Sequence, residues 1–305
     1  MPDSFGPTAS GLLEVADGVH AYLQPDGGWC LNNAGLITAG DRSVLVDTAA
    51  TEVRARTLRR AVHRVAGGPP SVIVSTHSHG DHTFGNFVFP EALVLGHERT
   101  RHEAEEAGLH LTGLWPDVVW GELELVLPHL TFAGPLTLRV GGKIVELHSF
   151  GPAHSGCDTV AWLPHERVLF AGDLVMSGVT PFVLTGSVSG LRSALADLRE
   201  FDATTIVPGH GPVGGPELLD QGERYLAWLM DLARAAVEAG MSPLEAAREA
   251  ELGEFEDLLD PERLAPNLHR ACAELRDGGK GVFAEVDQMF ADMVALHGGI
   301  PACHA

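Results

Sequence analysis

The stretch 75–86 reads STHSHGDHTFGN and places His77, His79, Asp81 and His82 in the pattern H-x-H-x-D-H. No other feature constrains the fold as much. The run leading into it, SVIVST (71–76), is short, apolar and β-branched, which is the pattern of a buried strand. The four side chains therefore stand at a strand's C-terminal end, where a loop can aim them at one point. Imidazole and carboxylate are good ligands for a divalent metal. Alternation puts His77 and His79 on one side. Asp81 and His82 fall beyond that pair, within reach of a second ion.

A site for two ions needs further ligands, and three runs downstream offer them. KIVELHSFGPAHSG (143–156) alternates as a strand and delivers His154. RVLFAGDLV (167–175) is an apolar strand ending at Asp173, and TTIVPGHGP (204–212) ends at His210. Gly or Pro flanks each one, so the backbone can turn sharply beside an ion.

LVDTA (45–49), STHSHGDH (75–82), GPAHSGCDTV (151–160), LFAGDLV (169–175) and VPGHGP (207–212) together resemble the metallo-β-lactamase superfamily, over roughly residues 15 to 215. The resemblance implies an α/β fold, a four-layer αββα sandwich with the metals along one edge between two sheets. It implies that His77, His79 and His154 hold a first metal, that Asp81, His82 and His210 hold a second, and that Asp173 bridges them. Asp47 matches a structural acid behind the site. The ions expected are two divalent metals, zinc first, with iron or manganese also suited to such donors. The antibiotic-hydrolysing members usually carry Cys where this chain has Asp173, so β-lactam hydrolysis is not the expected role. Cys157 replaces a residue that is usually small, and reads as a small buried side chain.

Charge narrows the partners. The chain has 305 residues and a net charge of −21, with 20 Lys plus Arg against 41 Asp plus Glu and no basic run. Phosphate backbones need cationic contacts, so nucleic acid is excluded as a partner. No apolar run of eighteen residues exists, so no membrane span is expected. MPDSFGPTASG lacks a basic and an apolar region and reads as a loose lead-in rather than a secretory signal. The four cysteines (Cys30, Cys157, Cys272 and Cys303) form no C-x-x-C, which fits reduced thiols and a cytoplasmic location.

Along the chain, strands are expected over VHAYLQP and CLNNAGLITAGDRSVLVDTA, with A-G-D as a hairpin turn. A helix is expected over 50–66, a strand at 92–96 and an acidic helix over 98–107. Strands should dominate 122–175, with a helix at 189–200 and a last strand in TTIVP. Residues 1–215 thus form the catalytic domain. Residues 216–305 read as a helical C-terminal extension packed on the core, with a cover over the site or a homodimer contact as alternatives. There RYLAWLMDLARAAVEAG stops at Gly240, and Ser242-Pro243-Leu244-Glu245 spells a capping box with Pro at the first helical position. Further helices are expected near 261–276 and 281–297. Two loops can shape a pocket: 108–121, with Trp115 and Trp120, and 177–190, which follows Asp173.

The expected activity is hydrolysis of an ester or thioester in a small, partly hydrophobic substrate. A metal-bound hydroxide, formed because the metal brings the pKa of water from near 16 to about 7, would attack the carbonyl. Asp81 and Asp173 would orient it or take its proton. Within the resemblance, an aromatic polyketide thioesterase/cyclase acting on a carrier-linked thioester is one specialisation. An iron-dependent persulfide dioxygenase is the alternative from another class, and the full second ligand set argues against it.

Overall fold

The computed structural model describes residues 11–276 and 286–305. The lead-in up to residue 10 and the start of the last expected helix, 281–285, lie outside the described residues.

Two sheets face each other. The first runs β1 (Gly11–Ala16), β2 (Val19–Leu23), β3 (Ala34–Ala39), β4 (Arg42–Val46), β5 (Val72–Val74), β6 (Leu93–His97) and β7 (Leu130–Phe132), in that spatial order. Pairing is antiparallel from β1 to β4 and parallel from β4 to β7. The second sheet holds β8 (Leu136–Val140), β9 (Lys143–Phe150), β10 (Asp158–Leu163), β11 (Val168–Met176) and β12 (Thr205–His210). Its pairs are antiparallel except β11 with β12. Val44, Val46 and Val74 of the first sheet meet Leu147, Leu163 and Phe170 of the second in one apolar cluster.

Helices cover both outer faces. Thr51 caps α1 (Glu52–Ala66) by accepting from the Arg54 N–H, and Gly67 closes it in the left-handed region. Its buried stripe, Ala55, Leu58, Ala61 and Val62, packs with Leu36, Leu45 and Ile73 on the first sheet. Two further helices precede the second sheet: α2 (Gly80–Thr83) and α3 (Glu98–Ala107). On the far side, α4 (Val188–Arg199) and α5 (Glu217–Ala239) lay Leu191, Leu195, Leu226 and Leu229 against Val160 and Leu169 of the second sheet. The order helix, sheet, sheet, helix is the expected sandwich. Strands β10 and β11 are buried along their whole length because both faces are covered.

The C-terminal region is helical, as its sequence indicates. Gly240 ends α5 in the left-handed region, and the Ser242–Glu245 capping box starts α6 (Pro243–Glu249). α7 (Leu264–Arg276) joins the same apolar cluster as α4 and α5, and α8 (Val286–His297) follows. No helix among the described residues is long and apolar enough to cross a membrane.

Three details differ from the expectation. β1 is an unforeseen edge strand; its pairing slips between Glu14 and Ala16, which spoils the alternation that marks a strand. Residues 122–129 form no strand. Asp173 lies inside β11 rather than at its end, because that strand continues to Met176 through a register shift at Gly172.

Leu147 is fully buried between the sheets. Leu147→Ala should lower the unfolding free energy by about 2–5 kcal/mol, through lost transfer energy plus the cavity left behind. Urea titration with an unchanged slope would read it. A shift within about 0.5 kcal/mol, the range of a surface substitution, would contradict this packing.

Candidate metal centre

All seven expected ligands gather at one edge of the sandwich. His77 lies in the loop after β5, His79 immediately precedes α2, and Asp81 and His82 lie within α2. His154 comes from the loop after β9, Asp173 from β11 and His210 from the last position of β12. The ligand atoms of His77, His79, His154 and Asp173 lie within 4.8 Å of one another, and so do those of Asp81, His82 and His210. The Asp173 carboxylate faces both groups: one oxygen is 3.1 Å from His82 Nε2 and the other 3.3 Å from His154 Nε2. His210 Nε2 is 3.2 Å from Asp81. Only glycine fits at 209, since a Cβ there would come 1.8 Å from the Asp173 carboxylate.

Hydrogen bonds behind the site set how each ring points. Asp47 accepts from the Thr76 N–H (2.7 Å), the Thr76 hydroxyl (2.7 Å) and His82 Nδ1 (2.8 Å). With its hydroxyl proton given to Asp47, Thr76 accepts from His77 Nδ1 at 3.0 Å. His154 Nδ1 donates to the Phe182 carbonyl at 2.6 Å, and His210 Nδ1 to the Gly27 carbonyl at 2.9 Å. Each of these four partners can only accept there, so Nδ1 carries a proton in all four rings and Nε2 faces inward. His79 is turned the other way, with Nδ1 3.0 Å from His154 Nε2.

This arrangement fits a cation. His77 Nε2 is buried without a hydrogen-bond partner, a costly state that a metal would relieve. Burial holds His77 and His79 below the usual imidazole range and brings His154 down to about 3, so these rings are neutral and ready to ligate. Burial would also lower His82, but Asp173, Asp81 and Asp47 together hold its proton well above the usual range. Burial pushes Asp173 and Asp81 upward; His82 and His210 outweigh it and keep both carboxylates below their usual range. Burial pushes the Cys157 thiol up to about 12, as suits an inert packing residue.

A cavity of about 1030 Å³ opens over the site. Both expected loops reach it, through Trp115 of the first and Phe182 and Leu184 of the second. Trp120 instead braces Trp115 from behind, donating Nε1 to its carbonyl at 3.1 Å. The remaining wall was not foreseen from sequence: Trp29 in the turn between β2 and β3, Arg263 before α7, and Phe290 of α8. Arg263 is 1% exposed, stacks 4.1 Å from the Trp29 ring centroid, and pairs with Asp260 at 2.7 Å. Trp29 Nε1 donates to Glu262 at 2.6 Å, and Trp115 Nε1 to the Pro301 carbonyl at 2.8 Å. The C-terminal region thus packs on the core and also walls the cavity.

Comparisons with known proteins agree with this geometry. The sequence profile of the metallo-beta-lactamase superfamily matches residues 27–210. The 2,4-dinitroanisole O-demethylase subunit alpha of Nocardioides sp. (strain JS1661) is 31% identical over 188 residues, 57% of this chain and 51% of that protein, so the likeness spans about half of the relative. The metallo-beta-lactamase type 2 of Bacteroides fragilis is 23% identical over 220 residues, 68% of this chain and 82% of that one. Among solved structures, a metallo-beta-lactamase from Pontibacter korlensis superposes with a TM-score of 0.61 at 22% identity, covering 72% of this chain and 99% of its own. The FIM-1 enzyme of Pseudomonas aeruginosa, solved in a mono-zinc form, gives 0.59 at 19% identity, covering 73% of this chain and 97% of its own. At such identities the structural likeness concerns the fold alone. With the profile matched over more than half its length, the chain belongs to the metallo-beta-lactamase superfamily.

Proposed function

We propose that the chain is a metal-dependent hydrolase that cleaves an ester or thioester bond in a small, partly hydrophobic substrate. The observation that carries this reading is the Asp173 carboxylate, set between two groups of inward-facing ligand atoms at the base of an apolar cavity. His77, His79 and His154 would hold one divalent ion and Asp81, His82 and His210 another, with Asp173 shared; zinc suits these donors. Such ions supply Lewis acidity toward a carbonyl oxygen and acidify water into the neutral range. Asp47 orients His82, and the Phe182 and Gly27 carbonyls orient His154 and His210, so the site is held before substrate arrives. Asp81 is 13% exposed against 4% for Asp173, which makes it the carboxylate better placed to take a proton from water in the cavity. Trp29, Trp115 and Phe182 exclude water from the substrate's apolar part.

A second reading is O-demethylation of an aromatic ether. It is favoured by the aromatic wall and by the 31% identity to the dinitroanisole O-demethylase subunit.

Elemental analysis of protein purified without added metal or chelator should find close to two ions per chain, mainly zinc. Loaded protein should turn over members of a panel of esters, thioesters and lactones. No turnover across that panel would overturn the hydrolase reading, and turnover confined to an added aryl methyl ether would favour the second. A single iron per chain would move sulfur oxidation to the front.

Asp47→Asn keeps the shape but weakens the hold on His82. It should weaken binding of the second ion by about 10–100-fold and of the first by less, because Asp47 touches His82 directly but reaches His77 only through Thr76, as read by competition with a chromogenic chelator. Equal loss of both ions would contradict two separable groups.

Loading also moves a proton. In the metal-free protein, protonated His82 contributes stability that is present below pH about 6.5 and lost as pH rises through its raised value. A metal held by His82 would compete with that proton, so affinity should tighten with rising pH across neutrality and a proton should leave on loading at pH 7. Calorimetric titration in two buffers of different ionisation heat would detect it; equal heats would refute the prediction.

A further inference from the structure

The cavity is asymmetric in charge. Four carboxylates line it away from the ligands: Glu98, Glu103 and Glu106 on α3, and Asp287 on α8. Among the described residues, Arg99 and Arg263 are the arginines that reach it; Arg263 is enclosed, whereas Arg99 lies exposed at the rim and pairs through Nε. Arg99 Nε sits 3.1 Å from Glu103, whose other oxygen accepts from Ser78 at 3.2 Å. Arg263 is held by Asp260, by the Thr180 carbonyl at 3.0 Å, and by the Trp29 face. His102 stands 3.6 Å from Glu106. An anion at this rim would therefore meet Glu98, Glu103, Glu106 and Asp287 against the exposed guanidinium of Arg99, a net negative balance among the described residues. The interior is aromatic: Trp29 lies against Trp115 and Phe182, with ring centroids 5.3 Å and 5.2 Å apart, and all three face the cavity. Flat rings stack or pack edge-on against such a wall.

We propose, building on the hydrolase reading, that this site takes an aromatic ester or thioester with no negative charge of its own. The aryl group rests against Trp29, Trp115 and Phe182, the scissile carbonyl reaches the metal ligands, and the α3–α8 rim repels carboxylates and phosphates. A thioester presented on a phosphate-bearing arm would meet the same repulsion. Ester cleavage balances with water alone: its oxygen joins the acyl carbon, the acyl–oxygen bond breaks, and the leaving aryl oxygen keeps the electron pair and receives a proton.

The test uses the full chain loaded with zinc and three matched 2-naphthyl acetates: unsubstituted, 6-carboxylate and 6-trimethylammonium. The neutral and cationic esters should exceed the carboxylate by at least about tenfold in kcat/KM, through KM, and the gap should shrink at 0.5 M salt as screening demands. Glu98→Gln with Glu106→Gln should narrow it by raising turnover of the carboxylate ester. Equilibrium dialysis of the matched, uncleavable methyl ketones reads binding apart from chemistry. Equal kcat/KM for all three esters would overturn the proposal and leave the hydrolase reading standing. Absent turnover, with the neutral ketone bound at least tenfold more tightly than its carboxylate, would overturn the hydrolase reading and uphold the charge selection. Equal ketone affinities would overturn the proposal whatever the turnover.

Discussion

Bare imidazole nitrogens and a carboxylate oxygen, buried and turned toward one another, are the constraint on which this molecule depends. Solvent cannot reach His77 Nε2, and no protein donor pairs with it. Left alone, such atoms cost free energy. A cation turns the same geometry into a favourable one, so the fold must spend rigidity to hold the cluster ready. The sandwich supplies it. Asp173 and His210 come from neighbouring parallel strands, and His77 follows a strand of the opposite sheet; the distances between them are therefore set by sheet packing rather than by flexible loops.

Outside the ligands, orientation is a chain of acceptors. Asp47 holds His82 directly and His77 through Thr76, so one carboxylate behind the site governs a ring in each ligand group. Carbonyls at Phe182 and Gly27 do the same for His154 and His210. Phe182 joins two roles, because its backbone aims a ligand while its ring lines the cavity. A shift in that loop would thus move metal geometry and substrate contact together.

The clustering was readable in sequence because four of its side chains fall within six residues and His154, Asp173 and His210 each belong with a strand-like run. The α6 start was readable for the same reason: Ser242 and Glu245 contact each other within one turn. The cavity wall was not. Trp29 gains its meaning from Glu262, 233 residues away, and from Arg263 beside it. Nothing in the turn around Trp29 announces that a buried arginine from the C-terminal region will stack on it. β1 escaped notice because an edge strand with a bulge lacks clean alternation.

The seven candidate ligands all precede residue 211, whereas Arg263, Phe290 and the Pro301 carbonyl that receives Trp115 come later. During synthesis from the N-terminus, every ligand has left the ribosome before the last wall of the cavity exists. The inward-facing cluster and the outer wall of the cavity are therefore written in separate parts of the chain, so a change in the C-terminal helices can reshape the cavity without touching any residue of the cluster.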